Sequence, residues 1–531
     1  MNNNNNNMNF IDQMKETATG SVEFNGVLTE NGAVGYKTTG TKLLDMNFKV
    51  ASYRNMSDDE IANDFIVAFK ENPALAFTWL FFARDVRGGL GERSLFRVCL
   101  KSLLKCGVLD SADIYSLCDL IMEYGRADDI YTIFDCGDKS FEKLTAMWMH
   151  EKLSKDLRNM AYGKPVSLLA KWLKSERASS VESMALAKRT AKALGMTSKQ
   201  YRLALSALRH YIDVTERKMS ANEWGEIDYS KVPSKAGLNY SNAFRKHDGE
   251  RYNQFLAAVK NGEAKINAGA LYPYEVVNKY TDGNFYASDI NPFDPTLEEL
   301  WKALPNTVNG KMAGSTLVVA DGSGSMTVNV SGKTTALDVA NSLAIYFAEK
   351  ATGAFKNKYI TFSEHPDFVD FDAVGCQTLR DKIIEALRHD EVANTNIEAV
   401  FNLILNTAVK KGLSQEEIPA NILMISDMEF DRATCGRIDR SLFDGIKEEF
   451  EAAGYKLPRL VFWNVNSRTC AVPVQKNDCG VMLVSGFSQN VAEMVMSGEL
   501  DPMKCLVNML MKDRYKEVRK FFDMYIEQRV I

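Results

Sequence analysis

The sequence has no run of the roughly 18–20 apolar residues that a membrane-spanning helix needs, and no membrane is expected among its partners. It also lacks an excess of basic charge. Its 64 Lys and Arg stand against 69 Asp and Glu, for a formal net charge of −5. That excludes a globally basic nucleic-acid coat but leaves room for a local basic face. Nine cysteines (Cys99, Cys106, Cys118, Cys136, Cys376, Cys435, Cys470, Cys479 and Cys505) form no C-x-x-C pair and lie mostly in apolar text. An odd number in a long chain argues against a disulfide framework, and they read as reduced core cysteines of a cytosolic, cytoplasmic protein. The five histidines do not cluster with them, so zinc is not expected. The start, MNNNNNNMNF, has neither the basic nor the apolar region of a secretory signal. What is present is an ordinary globular balance, 46% hydrophobic and 25% charged over 531 residues. That length suggests about two to four domains.

The pattern divides the chain. Residues 1–17 contain six consecutive asparagines and are expected to be disordered. Residues 18–56 are rich in Gly, Thr and β-branched pieces and predict an extended arm or hairpin. From 57 to 304, apolar residues recur at three and four, with stops every 15–20 residues at positions such as Gly88, Gly107 and Gly125. That rhythm predicts an all-α, HEAT-like array without a strict repeat. From 312 to 500, strand-like and helix-like pieces alternate, which predicts a doubly wound α/β domain on a mainly parallel sheet. The boundary falls near Pro305–Gly314, and 501–531 reads as a C-terminal helix.

In the α/β part, Asp321, Ser323 and Ser325 form D-x-S-x-S directly after the apolar strand STLVVA. Thr395 stands just before a helix, and Asp427 directly follows the apolar strand NILMIS. Open α/β sheets bind ligands outside the carboxyl ends of their strands. Two carboxylates and three hydroxyls converging there suit a hard divalent cation, which takes oxygen ligands. This set resembles the metal-ion-dependent adhesion site of the von Willebrand factor A domain, matching its five positions in order. The resemblance implies that Ser323 and Ser325 bind Mg²⁺ (or Mn²⁺ or Ca²⁺) directly, with Thr395 in one functional state. It further implies that Asp321 and Asp427 act through water and that the ion recruits an acidic protein partner. The competing structural reading is a Gly/Ser turn with helix caps. No nucleophile elbow or well-placed histidine supports hydrolysis, so no catalytic residue is assigned.

In the helical part, ARDVRGGLGERSLFR sets Arg84, Arg87 and Arg93 around three glycines, with Asp85 and Glu92 as the expected ion-pair partners. Residues 161–260 hold 18 Lys and Arg against 9 Asp and Glu, among them Lys171, Lys188, Arg189, Lys192 and Arg202. Aromatic residues such as Tyr162, Trp172 and Tyr211 are interleaved. Charge for the backbone and rings for unpaired bases are what single-stranded RNA requires. A solvated basic face with core aromatics is the bland alternative.

The order of a helical region carrying RDVRGGLGERSLFR before the metal-site text resembles the TROVE-module (Ro autoantigen) ribonucleoproteins. It is more similar still to an uncharacterised TROVE-like family of plants, fungi, bacteria and large viruses. Supporting text includes NGAVGYKTTGTKLLD, SLLAKWLKSE and LVFWNVNS. The resemblance implies a helical ring that takes structured or single-stranded RNA and carries an A domain. Two other expectations stand beside it: a metal-dependent interaction scaffold without RNA, and a metal-dependent phosphoryl-transfer enzyme or nuclease.

Overall fold

A reciprocal capping box opens the first long helix. Ser57 Oγ accepts the N–H of Glu60 at 3.3 Å, and the Glu60 carboxylate accepts the N–H of Ser57 at 3.0 Å. Both groups belong to the set that a helix start otherwise leaves unpaired. The computed structural model describes residues 26–28, 34–306, 316–351, 353–362, 366–389, 397–429, 442–467, 481–487 and 501–530. Within them the N-terminal part is rich in helix. Its helices include α1 (Lys42–Phe48), α2 (Asp58–Glu71), α3 (Pro73–Arg84), α4 (Arg93–Lys105), α5 (Ile114–Tyr124), α6 (Lys139–Ala161) and the single turn α7 (Leu169–Trp172). They continue as α8 (Val181–Ala193), α9 (Ser198–Tyr211), α10 (Thr215–Ser220), α11 (Ser234–Lys260), α12 (Pro273–Thr281) and α13 (Pro295–Lys302). Among the described residues no helix is long and apolar enough to cross a membrane.

The arm expected over 18–56 is extended only in part. Strands β1 (Gly26–Leu28) and β2 (Val34–Tyr36) pair antiparallel, but α1 follows directly. Its Leu43, Leu44, Met46 and Phe48 are buried, and Asp45 accepts the N–H of Thr39 at 2.6 Å and its hydroxyl at 2.8 Å. Burial and the bonds from Thr39 to Asp45 override the β-leaning text. The asparagine run lies outside the described residues, as does most of the expected boundary near 305–314.

The C-terminal part contains the mixed, mostly parallel sheet. Its strands are β3 (Thr316–Asp321), β6 (Lys358–Phe362), β7 (Asp367–Asp370), β8 (Asn421–Ser426), β9 (Arg459–Asn464) and β10 (Val481–Ser485). A separate ribbon joins β4 (Asn329–Ser331) to β5 (Thr334–Thr335). The sheet order is β10-β9-β8-β3-β6-β7, parallel throughout except that β7 runs antiparallel to β6 on the edge. Between the strands lie α14 (Ala336–Lys350), α15 (Leu379–His389), α16 (Ile397–Lys411) and α17 (Leu442–Ala452). Strand alternation splits the sheet residues between two cores. Leu317, Val319, Ile422, Met424 and Phe462 pack with Phe401 of α16 and Phe450 of α17. Val318, Ala320, Leu423, Ile425 and Trp463 pack with α14, in an apolar cluster that runs on without a break into the N-terminal helices.

The chain then returns. The single C-terminal helix expected over 501–531 is three: α18 (Pro502–Leu510), α19 (Lys516–Tyr525) and α20 (Glu527–Val530). They cover α3, in which every residue from Ala76 to Arg84 is buried. A helix apolar on all sides needs cover on all sides. The ring of Phe77 stacks on Phe521 at 5.5 Å between centroids, and Tyr515 meets Phe82 edge-on at 5.9 Å.

Candidate functional site

The chain moves from β3 across to β6 on one side and later to β8 on the other, so the strand order reverses between β3 and β8. A crevice opens at such a switch point, at the carboxyl ends of the strands. Asp321 ends β3 and Asp427 directly follows β8, and these strands pair in register from Thr316↔Asn421 to Ala320↔Ile425. Continued by one residue, that register sets Asp321 opposite Ser426, with Asp427 the next residue along. Both aspartates are fully buried.

The loops around them are fixed by local bonds. Asp321 Oδ1 accepts the N–H of Ser323 at 2.9 Å, and Oδ2 accepts the hydroxyl of Ser426 at 2.6 Å. The Ser426 oxygen accepts in turn the N–H of Met428 at 2.9 Å. Met428 adopts a left-handed backbone with φ of 63°, which turns the chain sharply after Asp427. Asp427 Oδ1 accepts the N–H of Glu429 at 3.2 Å. The Ser323 and Ser325 hydroxyls lie 2.9 Å apart, and Ser325 also bonds the Asp427 carboxylate. Burial, then the charge of Asp321, push the Asp427 carboxyl well above the usual range, against the bonds from Ser325 and the Glu429 amide.

Four of the five expected metal-site residues thus meet at one point, and Thr395 lies outside the described residues. Among the described residues no group of three or more His, Cys, Asp or Glu side chains is placed to hold a metal. The donor set is instead two carboxylates and two hydroxyls. Buried carboxylates that repel one another, beside neutral oxygen donors, fit a hard divalent cation. The helical region is bonded to the end of β9: Asn464 donates to Phe48 O at 2.8 Å, and Ser52 to Ser467 O at 2.7 Å.

The expected RNA-binding residues fall into four groups. Arg84 is buried and its Nε donates to Asp129 at 2.8 Å, so its guanidinium is committed to the interior. Lys188, Arg189 and Lys192 lie on α8, where Arg189 bonds Glu142 at 2.8 Å and pairs with Asp135. Arg87 is exposed on the turn after α3. Lys171, Arg93 and Arg202 line clefts. The first cleft, of about 890 Å³, is lined by Lys171, Trp172, Arg177, Lys199, Arg202 and Arg217 among others. The second, of about 880 Å³, is lined by Arg54, Arg93, Arg126, Lys171, Trp172 and Lys235 among others, and reaches Ser331 of β4. Lys171 and Trp172 belong to both clefts. Their turn is held by Arg209, which donates to the carbonyls of Ala170 at 2.8 Å and Leu173 at 2.7 Å.

The expected partners of the glycine turn are corrected. Asp85 pairs with Arg514 of the C-terminal segment, and Glu92 with Arg54 at 2.7 Å. Two of the glycines have steric reasons. A Cβ on Gly89 would lie 2.0 Å from Phe82 O, and one on Gly91, at φ of +74°, would lie 1.6 Å from the hydroxyl of Tyr272. Sequence reasoning missed Arg54 and Arg126 because isolated basic residues give no local signal, and it counted Lys235 only within the basic excess of 161–260. Only the fold brings them to one wall.

Comparison with known proteins follows the same division. Residues 146–311 match the family described as "Domain of unknown function (DUF2828)", and residues 315–522 match "Domain of unknown function (DUF7788)". The division between the two falls in the link from α13 to β3. "Uncharacterized protein L728" of Acanthamoeba polyphaga mimivirus is 28% identical over 518 residues, or 91% of this chain and 86% of that protein.

Proposed function

We propose that this chain is an RNA-binding protein of the Ro, TROVE-like kind. Its helical array grips RNA, and its von Willebrand factor A-like domain binds a divalent cation and recruits an acidic protein partner. The observation that carries the RNA reading is the pair of clefts joined at Lys171 and Trp172. Cations along both walls supply charge for phosphates, and the ring supplies a face for an unpaired base. Lys171 makes no hydrogen bond or ion pair through its amine among the described residues; its Nζ lies 5.6 Å from the Trp172 ring centre. It is therefore available to an external anion.

In the sheet domain, Ser323 and Ser325 would hold the ion through their hydroxyls, with Asp321 and Asp427 behind them. Neutral ligands leave much of the ion's charge unquenched, and that charge would draw a carboxylate from a partner. The cleft test is RNA recovered with the purified protein, seen as a high 260/280 nm ratio that RNase lowers, and its loss in Lys171→Glu with Arg202→Glu. Undiminished RNA in that double variant, with an unchanged melt, would move the site elsewhere. The metal test is titration calorimetry with Mg²⁺ on the parent and on Ser325→Ala. Equal heats in both would remove the ion from this crevice.

A further inference from the structure

Arg84, Arg93 and Arg126 line the second cleft, and three arginines, Arg84, Arg97 and Arg126, share two acids there. Asp129 takes Arg84 at 2.8 Å and Arg97 at 2.7 Å. Asp128 takes Arg97 at 3.1 Å and Arg126 at 2.5 Å. Arg93 is exposed, and no hydrogen bond or ion pair joins its side chain to any described residue. Its guanidinium is pulled down by burial and then by the neighbouring charges of Arg126 and Arg97. Four guanidinium groups against two carboxylates leave two positive charges uncompensated at this wall. Of the other acids that line the cleft, Glu92 is committed to Arg54 and Glu275 pairs with Lys235, while Asp58 and Glu216 pair with none of these four arginines.

Two further features point the same way. Arg93 is the first residue of α4, and Glu92 before it makes no side-chain cap, so the positive end of the helix opens on this wall. Arg126 lies with its Cζ 3.9 Å over the Trp172 ring, which fixes that guanidinium beside the junction with the first cleft.

We infer that the Arg93–Arg97–Arg126 wall is a site for the terminal phosphate of an RNA strand that lies in the clefts. The choice of a terminal group follows from charge. A phosphate monoester carries about −1.5 to −2 near pH 7 and offers three acceptor oxygens, whereas an internal phosphodiester carries a single negative charge. Arginine engages such a group through paired hydrogen bonds. The proposal rests on the RNA reading for its source of phosphate, and a free mononucleotide would present the same chemistry.

The test is fluorescence anisotropy of single-stranded dodecamer RNAs that differ only in terminal phosphorylation, at either end, on the full chain and on Arg93→Gln. A dodecamer phosphorylated at one end should bind about tenfold tighter than its hydroxyl-ended twin. Arg93→Gln should bring the two affinities together, and an unchanged melt shows that the fold is kept. Equal affinities for all the RNAs in the parent would overturn the terminal site and leave the RNA reading standing. Absence of binding to any RNA would overturn that reading instead. Calorimetry with adenosine monophosphate then decides the wall itself: heat lost in Arg93→Gln keeps it as a mononucleotide site, and no heat in the parent removes it.

Discussion

Asp321 and Asp427 show how a motif's residues serve two ends at once. The pair is buried and mutually repelling, yet Asp321 also fixes its own loop and the end of β8 through Ser323 and Ser426. Replacing Asp321 therefore confounds metal loss with loop collapse, and Asp427→Asn is the cleaner probe. It removes one of two like charges from a dry site. In EDTA this variant should melt no lower than the parent, whereas Mg²⁺ should raise the melting temperature of the parent alone, since a ligand stabilises the state that binds it. A rise of equal size in both proteins would contradict the assignment. Asp128 gives a pH-dependent case. Burial pushes its carboxyl up, but Arg126 and Arg97 outweigh that and hold it at about 2. A depressed folded-state value means stability that is present above the ordinary carboxylate range and lost as pH falls through about 2. The difference amounts to about 2 kcal/mol. Asp128→Asn should thus lower the melting temperature at pH 7, with the gap to the parent closing towards pH 2. A gap independent of pH would mean that the carboxylate charge contributes nothing. The motif D-x-S-x-S was legible because its residues are contiguous. The partners of Asp128 and Asp129 were not legible, because their arginines lie up to 45 residues away.

At the scale of elements, five parallel strands were legible as apolar runs because both faces of a parallel sheet are buried. The edge strand β7, reading DFVD, and the helix α15 were not expected. An edge strand half in water loses the apolar run, and α15 buries only a stripe through Leu379, Ile383 and Ala386. The returning helices were misread for a similar reason. Their apolar face is plain in the sequence, but nothing local says that it covers α3, more than 400 residues earlier. That contact carries a prediction. Phe521→Ala removes a ring stacked on Phe77 in a closed core, and large-to-small changes of this kind cost about 3–5 kcal/mol. Chemical denaturation should show that loss, and a loss below about 1 kcal/mol would mean that α19 packs loosely. Gly91→Ala belongs to this scale too. The left-handed backbone and the Tyr272 hydroxyl leave no room for a methyl group, so the turn between α3 and α4 should open and the melting temperature fall. A melt equal to the parent's would show that the turn shifts freely.

At the scale of the whole molecule, one apolar cluster joins the N-terminal helices, one face of the sheet and the C-terminal helices. The two regions that the sequence separates at about residue 310 are therefore packed as one body, and the second cleft runs from α4 to β4 across their junction. Charge follows the same plan. The chain is acidic overall at −5, while basic residues gather along the two clefts. The basic excess over 161–260 was legible in the sequence, but its split between a cleft wall and α8, where Arg189 is paired with Asp135 and Glu142, was not. The central claim is that this lining holds RNA by its phosphates and that the cation site does not. The most direct measurement is the affinity for single-stranded RNA as a function of salt, in the presence of EDTA. The account predicts that binding survives EDTA, with a log–log slope of about −2 or steeper, or roughly −0.7 for each of at least three phosphates neutralised. A slope near zero, or binding that vanishes with the chelator while the fold persists, would contradict it.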